Sequence, residues 1–97
     1  EDDISSVCAA IYIDQQDARV RQVRIAYGGV AATPMRLPEI EALLVDRALA
    51  DIDSVSLSAA LAEILKPISD VRASADYRLQ MATTLLLNRL AFERERG

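Results

Sequence analysis

Few residues in this 97-residue chain could do chemistry, and the missing types exclude whole classes of it. Histidine is absent and Cys8 is the single cysteine. A zinc site built from cysteine and histidine is therefore excluded. Ser-His-Asp and Cys-His nucleophilic arrangements fail for the same reason, because each needs an imidazole base. A reactive thiolate needs an exposed, electropositive surrounding. Cys8 lies in an apolar stretch, so a buried and inert side chain is expected. Glu1, Asp2 and Asp3 make an acidic cluster, but three consecutive side chains rarely converge on one cation. Charges at a chain end are ordinarily solvated. Gly28-Gly29 lacks the third glycine and the Lys-Ser/Thr pair of a phosphate-holding loop. Two adjacent glycines fit a strand end that needs unusual dihedrals, or a close approach of backbone to a cofactor or partner. Asp70, Arg72, Asp76 and Arg78 alternate in sign, as expected for local ion pairing at a helix start.

Charge narrows the partners. The net charge is −4, with Arg19, Arg21, Arg24 and Arg36 gathered between acidic flanks. A nucleic-acid surface needs a dominant basic face, usually with exposed aromatics. Here the sign is wrong and only Tyr12, Tyr27, Tyr77 and Phe92 are aromatic, so no nucleic-acid partner is expected. Hydrophobic residues make up 52% and charged residues 27%, which is ordinary globular composition. No apolar run is long enough to span a membrane. The acidic start lacks the pattern of a signal peptide, so no membrane partner and a cytoplasmic location are expected. The absence of a leading Met suggests a fragment or a processed piece.

The elements that would position these residues follow from periodicity. Residues 4–13 alternate, with Val7, Ala9, Ile11 and Ile13 on one face and Cys8, Ala10 and Tyr12 on the other. Asp14-Gln15-Gln16-Asp17 reads as a hairpin loop. Residues 19–27 alternate again, with Arg21, Val23, Ile25 and Tyr27 opposed to Val20, Gln22, Arg24 and Ala26. Residues 32–36 can return as a third strand, confined to an edge by Pro34. Helices are predicted over 38–46, 56–65 and 74–95. Pro38 suits a first turn, with Glu39 and Glu41 near the positive end of the helix dipole. Leu57, Leu61, Ile64 and Leu65 share one face, and Pro67 stops that helix near Leu65. Ser74 is a candidate N-cap for the last helix. That helix is apolar nearly all round, with Arg89 its only charge between Leu79 and Phe92, so burial on more than one side is expected. Strands first and helices after argue for an α+β fold in one domain, 1–97.

Three stretches carry a resemblance. Residues 24–36, RIAYGGVAATPMR, are similar to a strand-loop segment near the end of flavoproteins in the xanthine dehydrogenase and carbon monoxide dehydrogenase families. Residues 69–79, SDVRASADYRL, resemble the entry to the last helix of bacterial xanthine dehydrogenase flavin subunits. Residues 1–4 resemble the acidic turn that opens the same subdomain. The resemblance implies a three-stranded antiparallel sheet covered by helices, appended to a larger FAD-binding region. It implies a parent oxidoreductase in which electrons pass from molybdopterin through 2Fe-2S clusters to FAD and NAD. Molybdopterin, clusters and the FAD diphosphate site would lie in other domains or subunits, which would be this chain's partners. The resemblance places Asp2 and Asp3 near the flavin, and the chain alone should be inactive. From the residues alone, a stand-alone interaction module dimerising through its apolar last helix is the alternative.

Overall fold

The computed structural model describes residues 7–30, 33–65 and 72–96. Strands β1 (Cys8–Gln16) and β2 (Arg19–Gly28) form an antiparallel hairpin. A short β3 (Met35–Arg36) adds antiparallel to the far side of β2, giving the order β1-β2-β3. It starts just after Pro34 and lies at the sheet edge, where a missing amide donor is tolerated. Of the expected strands 4–13 and 32–36, residues 4–6 and 32 lie outside the described residues.

Two features of the hairpin depart from the reading by period. The expected loop at 14–17 is largely strand, because β1 continues through Gln16 and Asp17-Ala18 alone reverse the chain. Both residues have positive φ, 56° and 61°. A two-residue turn of that kind matches the twist of its flanking strands. The second departure is a bulge. Asp14 pairs with Gln22 but Gln15 pairs with Val20, so Arg21 has no partner. One extra residue flips every side chain beyond it. Val20, expected beside Gln22 and Arg24 on the open face, is fully buried with Val23, Ile25 and Tyr27. Arg21 is turned out to solvent.

Helices α1 (Pro38–Leu44), α2 (Ser54–Leu65) and α3 (Arg72–Arg96) follow. Pro38 starts α1 as expected, but α1 ends two residues before 46. Val45 is extended and Asp46 takes φ 68°, while the Arg47 amide donates to the Leu44 carbonyl at 3.1 Å. A single 3-10 turn at Leu49–Asp51, not expected from the sequence, buries Leu49. Helix α2 starts at Ser54 because Asp53 caps it. Its carboxylate accepts from the Val55 amide at 3.1 Å and the Ser56 hydroxyl at 2.7 Å. Helix α3 starts at Arg72, so Ser74 falls in the first turn and is not the N-cap.

The helices cover one face of the sheet. Leu57, Leu61 and Leu65 of α2 and Ala82, Leu86 and Leu90 of α3 join Ile13, Val23, Ile25 and Tyr27 in one core. Among its described side chains α3 buries one face only, which corrects the expected burial on more than one side. Phe92 and Tyr77, 57% and 50% exposed, lie on the opposite face. Among the described residues no helix is long and apolar enough to cross a membrane.

Candidate functional site

Asp2 and Asp3 lie outside the described residues. Val7, the first described residue, adjoins the end of the sheet where Cys8 faces Gly28. Cys8 is exposed there, which corrects the expectation of a buried thiol. The reason is its phase: it shares the face of Ala10 and Tyr12, away from the helices. Its sulfur would stand 2.9 Å from a Cβ placed on Gly28, so the glycine leaves room for the cross-strand thiol. Gly29, with φ 86°, takes the left-handed backbone that a glycine adopts without strain. The two glycines thus have separate duties, one steric and one conformational.

Two carboxylates, Glu41 and Glu93, are buried, which the sequence did not indicate. Glu41 of α1 is 8% exposed. Its carboxylate accepts from the Ile25 amide at 2.8 Å and from Arg36 at 2.6 Å and 3.3 Å. Ile25 turns its amide away from β1, where β3 is too short to meet it, and the carboxylate takes the place of the missing strand carbonyl. Burial pushes Glu41 up, but Arg36 and the amide outweigh it and hold the carboxyl below its ordinary range. Glu93, 1% exposed, sits near the end of α3. It accepts from Gln15 at 2.7 Å, Arg89 at 2.9 Å and Arg96 at 3.2 Å. Burial again acts upward and these three donors outweigh it, lowering the carboxyl. Arg89 also donates to the Ile11 carbonyl. The available signal was the i, i+4 pair Arg89–Glu93; nothing local marked Gln15.

Tyr27 is fully buried and donates from its hydroxyl to the Ala82 carbonyl at 2.6 Å. Burial pushes its ionisation well up, so it remains a neutral donor. These groups are satisfied within the domain, and no buried side-chain polar atom among the described residues lacks a partner. No described cluster of Cys, Asp or Glu could hold a metal ion. The described residues also do not form a cradle for a flavin diphosphate. Gly28-Gly29 ends a strand rather than opening a helix, and α1 begins on Pro38 without a glycine loop. The arrangement is a scaffold whose open surfaces are the sheet face carrying Cys8, Ala10 and Tyr12 and the end near Gly29.

The family model described as CO dehydrogenase flavoprotein C-terminal domain matches residues 1–91. Among curated relatives, the chain is 34% identical over 77 residues to the nicotine 6-hydroxylase medium subunit of Paenarthrobacter nicotinovorans, covering 79% of this chain and 27% of that one. It is 30% identical over 88 residues to the 6-hydroxypseudooxynicotine dehydrogenase complex subunit alpha of the same organism, covering 91% of this chain and 29% of that one. A chain in the crystal structure of the cyanide-inactivated Cu,Mo-CO dehydrogenase superposes with a TM-score of 0.73 at 27% identity, covering 94% of this chain and 32% of that chain. The sequence thus spans under a third of the length of each. With the sheet order, the helical cover and the match over nearly its whole length in agreement, this chain belongs to the CO dehydrogenase flavoprotein C-terminal domain family.

Proposed function

We propose that the chain is the C-terminal part of an FAD-carrying polypeptide in a molybdenum hydroxylase of the xanthine dehydrogenase type. In the parent enzyme, substrate is oxidised at a molybdopterin centre and electrons pass through 2Fe-2S clusters to FAD and then to NAD. This domain contributes no reacting group. It walls one side of the flavin site and packs against the remaining FAD-binding domain and the iron-sulfur and molybdopterin partners, in the cytoplasm. The observation that carries this reading is the family match over residues 1–91. Two relatives named as a medium subunit and as a complex subunit support a multi-subunit parent.

Full-length polypeptide produced with its partner subunits should retain stoichiometric FAD that bleaches when substrate is added. A well-folded full-length protein without flavin would overturn the reading. Asp2 and Asp3 are the flavin-proximal residues in this proposal. A carboxylate some 5–8 Å from the ring would disfavour anionic reduced flavin by about 2–3 kcal/mol at an effective dielectric near 20. Solvent exposure reduces that figure. Asp2→Asn should therefore raise the flavin midpoint potential and leave hydroxylation at molybdenum little changed. An unmoved potential at low salt would reduce Asp2 to a solvated turn residue.

A further inference from the structure

The outer rim of β2 is closed at two places and open between them. Val20 is bonded on both backbone groups by the 46–47 segment. Ile25 gives its amide to Glu41 and its carbonyl to the Leu37 amide. Val23 faces the same way as Ile25, because backbone direction along a strand repeats every two residues and the pairing is regular between them. The Val23 carbonyl accepts from Arg24 at 3.0 Å, while its amide has no partner among the described residues. Val23 is 2% exposed, and a buried amide without an acceptor is rare.

A cleft of about 280 Å³ lies at this rung, between β2 and α1. Arg21, Gln22 and Arg24 line it with polar side chains, and Pro38, Ala42 and Val45 form its apolar wall. Three apart on a regular strand, Arg21 and Arg24 would project from opposite faces. The bulge re-aims Arg21, and both line the same cleft. Arg21 donates to the Gln16 side-chain oxygen at 3.1 Å and Arg24 to the Val23 carbonyl, both neutral acceptors. A guanidinium has five N–H donors, so each keeps others to give. Glu41 is the one acid among the described lining residues, and Arg36 already holds it at 2.6 Å.

We propose that this cleft binds a small phosphate-type dianion, with one oxygen accepting from the Val23 amide and the others from Arg21 and Arg24. Arginine and backbone N–H groups are the donors suited to phosphate oxygens. A phosphate monoester carries about −1.5 to −2 charge at pH 7, which matches two guanidinium groups. The volume is below the roughly 300–1,000 Å³ of pockets that enclose larger ligands, so the cleft suits a free ion or a short ester and not a nucleotide. The site goes beyond the functional reading above and does not rest on it.

The test titrates the full-length, flavin-loaded protein by calorimetry with inorganic phosphate and, separately, with ethyl phosphate, at constant ionic strength set by chloride. Loading with flavin keeps the cofactor's own phosphate-holding region filled. The expected result is one saturable site per chain. Binding should weaken at least about tenfold in Arg21→Ala and in Arg24→Ala. It should be unchanged in Arg94→Ala, which removes an exposed charge from the last turn of α3, outside the cleft. Acetate, a monoanion, should bind at least about tenfold more weakly than phosphate. Tighter binding of ethyl phosphate supports the site as one for an ester, and tighter binding of phosphate supports it as one for the free ion. No saturation up to about 10 mM, equal weakening in all three variants, or acetate binding as tightly as phosphate overturns the proposal. Arg21 is turned to solvent at the bulge, so Arg21→Ala decides alone if Arg24→Ala does not fold. A full-length protein that carries no flavin overturns the functional reading, and the same titration and variants still decide the cleft.

Discussion

Replacing Glu41 distinguishes a strand substitute from an ordinary ion pair. Its carboxylate has two kinds of partner, the buried Ile25 amide and the largely exposed Arg36 guanidinium. Glu41→Ala strands the amide in the core, where an unsatisfied donor costs about 1–3 kcal/mol. The better helix propensity of alanine returns a few tenths, roughly 0.3–0.5 kcal/mol. The net expectation is a loss of about 0.5–2.5 kcal/mol. Glu41→Gln keeps an oxygen for the amide and puts its NH2 toward the exposed side, so it should lose less than half as much. Arg36→Ala should lose less than Glu41→Ala, because the Ile25 amide keeps its acceptor and solvent screens the guanidinium. Urea denaturation of the chain measures the series, with an unchanged slope showing that the unfolded state is unaffected. Hydrogen exchange at the Ile25 amide should accelerate in Glu41→Ala and not in Arg36→Ala. Equal losses in Glu41→Ala and Arg36→Ala, with Ile25 still protected, would refute the reasoning.

Leu86 is fully buried on α3, and Leu86→Ala should cost about 2–5 kcal/mol. Phe92→Ala, on the opposite face, should stay within roughly 0.5 kcal/mol of wild type; a reversed order would mean the helix is turned the other way. Ala18 takes φ 61°, so Ala18→Gly should stabilise by about 0.5–1 kcal/mol in the same denaturation assay. Glu41 and Glu93 have lowered carboxyl values, so their ionised forms stabilise the folded state. That contribution is complete above their ordinary value of 4.5 and is lost as pH falls below it through the lowered values. Glu93→Gln should flatten the acid limb of a stability-against-pH curve, and an unchanged limb would exclude Glu93 as a source. The 97-residue chain alone should bind no FAD, and a purified chain with stoichiometric flavin absorbance would contradict the absence of a described cradle.

The class and order of elements were legible because periodicity reports burial directly. The faces of β1, the central run of β2 and the leucine stripe of α2 came out as their spacing required, whereas α3 buries one face and not the several its composition suggested. The misreadings share a cause: each depended on one residue whose conformation its type does not announce. Ala18 in a left-handed turn shortened the loop. Arg21 in a bulge sent Val20 inward. Asp53 capped α2 early. Cys8 was misjudged because an apolar neighbourhood in sequence is not an apolar neighbourhood on one face of a strand. The burial of Glu41 and Glu93 was invisible for a different reason. A buried carboxylate is defined by distant partners, Ile25 and Gln15, and no local pattern encodes that meeting. The acidic turn was legible only as a family resemblance, and Asp2 and Asp3 lie outside the described residues.

The pairing of Ile11 with Ile25 has a consequence for how this sheet ends. Ile25 presents its amide outward on one side, where Glu41 accepts it. Ile11 presents its carbonyl outward on the other, where Arg89 donates to it. Lower down, the 46–47 segment bonds both backbone groups of Val20. A three-stranded sheet would ordinarily offer two open rims to any passing extended chain, which is how strands recruit neighbours and aggregate. Here charged side chains from two helices close the same rung from both sides. Neutralising Glu41 or Arg89 would therefore do more than soften the fold: it would reopen a rim to strand addition, and the resulting variants should be prone to self-association before they are prone to unfolding.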